Sequence, residues 1–121
     1  MSTPLTSVFR HHKKLVDCQR FDKDHIGLTT SPARDRRGIH VRLIKKALNT
    51  FARRFGMDEL DEENEVFDQE TADLVTTFKE LHKPRPILNF LGKIDPVVGK
   101  QTITALDDEL PFQPRLPGDP R

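Results

Sequence analysis

The hexapeptide Val66-Phe67-Asp68-Gln69-Glu70-Thr71 is answered thirty-one residues later by Val97-Val98-Gly99-Lys100-Gln101-Thr102. Each copy places two apolar residues before an Asp or Gly, then two polar residues and a Thr. Asp and Gly are favoured helix N-caps, and a helical apolar pattern follows each copy, so each marks a loop turning into a helix. Two such junctions in one short chain require a third element for the helices to pack against.

That third element is predicted over His40 to Phe55. Ile44, Ala47, Leu48, Phe51, Ala52 and Phe55 follow the i, i+3, i+4, i+7, i+8, i+11 spacing of one helix face. Arg42, Lys45, Lys46, Arg53 and Arg54 fall largely off that stripe, and Gly56 is a natural residue to end it. The second helix runs from the Asp68 cap to about His82, burying Leu74, Val75, Phe78 and Leu81, and Pro84-Arg85-Pro86 stops it. The third begins at Gly99 or Lys100 and reaches about Leu110, burying Ile103, Leu106 and Leu110. Between them, Met57 to Glu65 reads as an acidic loop with Leu60 pinned inward. Ile87 to Leu91 reads as a turn of helix or an extended piece before Gly92.

The expected fold class is therefore all-α, a compact three-helix bundle over residues 39–110. Residues 1–38 lack sustained periodicity and are expected to form a basic N-terminal arm, ordered at most in part, around Leu15 to Phe21. Residues 111–121 carry Pro111, Pro114, Pro117 and Pro120, a three-residue spacing that matches polyproline II and predicts an extended Pro-rich tail. The chain of 121 residues holds one domain, with 35% hydrophobic residues and eight Phe for its core. No apolar run approaches the roughly 18 residues of a membrane span, and residues 1–14 contain no hydrophobic signal region. The expected location is cytoplasmic as synthesised, with a signal-less export route to the periplasm or wall as the alternative. A lone Cys18 forms no intramolecular disulfide.

The net charge of +1 conceals a strong asymmetry. Residues 1–55 hold 13 Lys and Arg against 4 Asp and Glu, whereas residues 56–80 hold 1 against 10. Two readings stand side by side: segregated solvated faces, or a basic arm that meets an anionic partner.

With the helices placed, three blocks of residues resemble the peptidoglycan-binding-like domain, a small three-helix module attached to many cell-wall hydrolases. Val41-Arg42-Leu43-Ile44-Lys45-Lys46-Ala47-Leu48-Asn49 resembles the family's opening V-R-x-L-Q-x-x-L-N. The segment from Val66 through Thr71 to Phe78-Lys79 is similar to G-x-F-G-x-x-T-x-x-A-V-x-x-F-Q. The segment from Gly92 through Asp95 and Thr102 to Leu106 is similar to G-x-x-D-G-x-V-G-x-x-T-x-x-A-L. The chain has Lys45 and Lys79 at the family's Gln positions, Asp68 for a cap Gly, and Glu65 and Pro96 where Gly is usual. The resemblance implies a non-catalytic module that binds peptidoglycan, as glycan or stem peptide. It places ligand contacts near the second copy and the start of the first helix, at Arg42, Lys45, Asp95, Lys100 and Gln101. The alternative is a protein–protein adaptor of a bacterial secretion or phage-like assembly, with the same fold and docking through the arm or tail.

Other chemistry finds little support in the residues. His11, His12, His25, His40 and His82 show no His-Glu-x-x-His spacing, and no Cys pair exists, so no metal or other cofactor is expected. Cys18 has no orienting pair for nucleophilic catalysis, and no enzyme activity is expected. The acidic run 58–65 lacks the Gly turn of an EF-hand. Nucleic acid is disfavoured as a partner, because the chain has no Trp or Tyr for stacking and the acidic segment repels phosphate. Oligomeric state is left open.

Overall fold

The computed structural model describes residues 5–21, 25–28, 36–89 and 91–111. Four α-helices follow in chain order: α1 (Lys13–Phe21), α2 (Ile39–Arg54), α3 (Gln69–Leu81) and α4 (Lys100–Asp107), with a short 3-10 turn at Val8–His11 ahead of α1. Among the described residues there is no strand, only two isolated antiparallel bridges. The all-α expectation holds, and the three expected helices stand within three residues of their expected ends.

Helix α2 buries Val41, Ile44, Ala47, Leu48, Phe51 and Ala52, the stripe its spacing predicts. Its last expected residue, Phe55, is instead exposed beyond the helix end. Gly56 has φ +66, and the Met57 amide donates to Ala52 O at 2.9 Å, closing the helix with a left-handed residue. At the other end Gly38 has φ +129, and a side chain there would stand 3.1 Å from the His40 ring, so only Gly fits. The Gly38 amide donates to Glu65 O at 2.9 Å, the first tie between α2 and the loop before α3.

Helix α3 starts as the sequence predicts. The Asp68 carboxylate accepts from the Thr71 amide at 3.0 Å and the Thr71 hydroxyl at 2.6 Å. Phe67, one residue before the cap, is buried, as is its counterpart Val98. Each copy of the repeated motif is pinned just before its cap by one of the two bridges, Arg37 with Val66 and Ile26 with Val98. Phe51 and Phe78 meet edge to face at 5.1 Å and join α2 to α3. Helix α4 buries Ile103, Ala105 and Leu106, and it ends at Asp107, with Leu110 tucked under a following turn.

The N-terminal segment departs from expectation. Residues 5–21 are built into the core rather than forming an arm. Leu5, Phe9, Leu15 and Cys18 are buried in the same cluster as Ile103 and Leu106, and α1 packs chiefly against α4. Ser7 caps the 3-10 turn, its hydroxyl accepting from the Phe9 amide at 3.2 Å. The Asp107 carboxylate at the end of α4 accepts from the amides of Thr6 (2.9 Å) and Ser7 (2.8 Å) and from both of their hydroxyls. The bundle thus has a fourth helix, which three-helix reasoning omitted. The expected Pro-rich tail beyond Pro111 lies outside the described residues, as do residues 29–35 of the expected arm.

Part of the charge asymmetry along the sequence is paired within the fold. The acidic loop 57–65 lies along α2. Arg42 donates to Glu62 O at 3.1 Å and meets Glu63 at 3.1 Å, and Arg53 meets Glu59 at 2.5 Å. Asn49 clasps the loop from below, donating to Leu60 O at 2.8 Å and accepting from the Leu60 amide at 2.7 Å. Leu60 packs partly buried against the core, as its inward pinning predicts. The exposed ion pairs each contribute little, about 0–1 kcal/mol, so the Asn49 clasp and Leu60 do more to place this loop.

Candidate functional site

The repeat in the sequence is also a repeat in space. In each copy a loop returns along the preceding helix, an Asx residue turns it, and a buried Lys from that helix reaches in. Asn64 accepts from the Val66 amide at 3.0 Å, and Asp95, at the corresponding place, accepts from the Val97 amide at 3.1 Å. Lys45 of α2 lies 3.9 Å from the Asp68 carboxylate. Lys79 of α3 donates to Asp95 at 2.8 Å and to Val97 O at 2.5 Å.

The second copy opens onto a cavity of about 500 Å³. Its apolar wall is Ile87, Leu88 and Val97, and its polar lining includes His25, Asn89, Asp95, Lys100, Gln101 and Thr102. Ile87 is fixed by its amide donating to Lys79 O at 3.1 Å, so the segment after α3 runs extended along the mouth. Asn89 donates to Asp95 at 2.9 Å, and its own oxygen accepts from the Leu91 and Lys93 amides. Burial pushes the Asp95 carboxyl up. The hydrogen bonds from Lys79, Asn89 and the Val97 amide, with the Lys79 charge, outweigh that and hold it below the usual carboxylate value.

Of the five residues predicted to contact a ligand, Asp95, Lys100 and Gln101 line this cavity. Arg42 and Lys45 belong to the first copy, away from it: Arg42 is engaged with the acidic loop, and Lys45 is 1% exposed. The five do not form one site. Lys45 and Lys79, the residues at the family's Gln positions, are internal struts. His25, Asn89 and Thr102 are cavity residues that sequence reasoning did not single out. The signal for Thr102 was present, because it occupies the Thr position of the repeated motif.

Replacing Lys79 by Ala is expected to cost about 2–3 kcal/mol, below the usual figure for breaking a buried pair because Asp95 is a third exposed. Equilibrium urea unfolding reads this directly; a loss under about 0.5 kcal/mol would mean the pair is screened as on an open surface. Asp68 behaves like Asp95. Burial pushes it up, but the Thr71 hydroxyl and amide and the Lys45 charge hold it below 3.8. Both carboxylates therefore bind protons less readily folded than unfolded. Their contribution is present above the unfolded value of about 3.8 and is lost as pH falls through the lower folded values. Thermal unfolding between pH 6 and pH 2.5 should show a falling limb that is shallower in Asp68→Asn and Asp95→Asn.

Elsewhere, the His12 and His40 rings stand 5.6 Å apart at the start of α2. Burial, then the charges of His40 and Lys14, push His12 below its usual value. Asp58, Glu59, Glu70 and Asp73 line an open groove beside α3. Among the described residues no three His, Cys, Asp or Glu side chains converge to hold a metal ion, and no helix is long and apolar enough to cross a membrane. No protein-family model matches the chain, and neither curated proteins nor solved structures include a significant match to it.

Proposed function

We propose that the cavity beside the second copy is a recognition site, and that the protein is a non-catalytic module taking a peptidoglycan fragment there, by its glycan or its stem peptide. The observation that carries this reading is the coincidence of place. The cavity lies at the second copy, one of the two places where the resemblance puts ligand contacts, and it is lined by Asp95, Lys100 and Gln101. Its lining suits such a ligand. Ile87, Leu88 and Val97 offer an apolar wall for sugar faces or alanine methyls, while Lys100 and Gln101 offer a cation and an amide for polar groups. Asp95 is already bonded by Lys79, Asn89 and Val97, so its role is to shape the wall more than to grip the ligand.

Pelleting of the full chain with insoluble peptidoglycan sacculi at low salt tests the reading. A substantial bound fraction is expected, reduced when Lys100 and Gln101 are both replaced by Ala. Complete recovery in the supernatant would end it. The adaptor reading draws on one observation, the exposure of Leu88 and Leu91 (44% and 66%) on the segment that passes the cavity mouth. Of the expected docking arm, residues 5–21 are committed to the core, and residues 29–35 lie outside the described residues.

A further inference from the structure

The two copies of the motif share a backbone at their caps but are completed differently. Asp68 has φ −102 and ψ −179, and Gly99 has φ −115 and ψ −163. In the first copy the Asp68 carboxylate fills the space at the helix start, held by the amide and hydroxyl of Thr71 with the Lys45 ammonium 3.9 Å away. In the second copy Thr102 stands for Thr71, but Gly99 brings no carboxylate. Helix α4 has no side-chain cap and no acidic residue in its first turn. Thr102 is 2% exposed and lines the cavity, yet its hydroxyl makes no hydrogen bond among the described residues. A hydroxyl left open to the cavity is available to a ligand, and free amides at a helix start attract an anion. His25 lies against Gly99, its Nε2 3.6 Å from where a Cβ would stand, and Lys100 lines the same cavity.

We propose that the start of α4 is a subsite for a ligand carboxylate, which takes the place that the Asp68 side chain fills in the first copy. The amide and hydroxyl of Thr102 donate to it, with Lys100 and His25 beside it. The ligand class is a molecule bearing a free carboxylate, such as the end or an acidic side chain of a short peptide. A neutral amide of the same shape is disfavoured, because it lacks the negative charge that the helix start and Lys100 attract. The subsite rests on the cavity being a recognition site, but it requires only a carboxylate and not a wall fragment.

The test is a titration of the isotope-labelled full chain with N-acetylglycine and, separately, with N-acetylglycinamide, followed by amide NMR shifts. Saturable shifts centred on Gln101 and Thr102 are expected with the acid, and much weaker ones with the amide. Gly99→Asp supplies a tethered carboxylate on a backbone that already suits it, and the shifts on adding acid should disappear. Thr102→Val keeps the shape without the hydroxyl and should weaken the acid roughly tenfold. No response to the acid, equal response to acid and amide, or undiminished binding in Gly99→Asp would overturn the subsite. Sacculus pelleting of the same proteins separates the two readings. Acid binding without sacculus retention keeps the subsite and ends the wall reading, whereas sacculus retention with no acid response does the reverse.

Discussion

Replacing Phe9 by Ala is expected to cost about 3–5 kcal/mol, a large part of the roughly 5–15 kcal/mol that holds a domain of this size together. Phe9 has no exposed surface and belongs to the core cluster, so its removal leaves a cavity under the 3-10 turn, which packs against α1 and α2. A residue on a mobile arm would cost next to nothing. Urea unfolding of the full chain, monitored by far-ultraviolet circular dichroism, separates the two. A change below about 1 kcal/mol would show that residues 5–21 do not belong to the folded body.

The second large effect is expected at Asp107. A carboxylate at the C-terminal end of a helix opposes the helix dipole, so its presence there needs compensation. It receives four hydrogen bonds, from the amides and hydroxyls of Thr6 and Ser7. Hydrogen bonds to a charged group are worth about 1.5–3 kcal/mol each to remove, and they are not additive. Asp107→Ala also strands the Ser7 amide, since Ser7 is fully buried. A loss of about 3–4 kcal/mol follows, with Asp107→Asn lying between wild type and Ala because it keeps one acceptor oxygen. Because Ser7 also holds the Phe9 amide, Asp107→Ala and Phe9→Ala should be sub-additive in combination. Strict additivity would show that the clamp and the buried Phe9 act independently.

The helices of the repeat were legible because two local signals agreed there, a cap residue and an apolar stripe. Asp68 and Gly99 mark the starts of α3 and α4, and Gly56 with the Pro84–Pro86 stretch marks ends. Helix α1 was not legible as a core element. It is nine residues long, Gln19 is buried while Phe21 is exposed, and nothing local shows that Leu15 and Cys18 will meet α4. The cavity was legible only in part. Asp95, Lys100 and Gln101 lie within the second copy, but His25 comes from a distant segment. Lys45 falls off the predicted stripe and Lys79 sits outside the one predicted for α3, and only the folded chain reveals the carboxylates and carbonyl that let them be buried. Part of the charge asymmetry is met inside the molecule, where the acidic loop is laid along α2, a pairing that no local pattern announces.

The tie between Ser7 and Asp107 spans 100 residues of chain. Leu15 and Cys18 on α1 are made well before α4, so these apolar side chains emerge before the helix they pack against. The entropy of closing so long a loop is recovered only after α2, α3 and the second copy are in place. A chain stalled in synthesis before Lys100 therefore holds Leu15 and Cys18 without the helix that covers them.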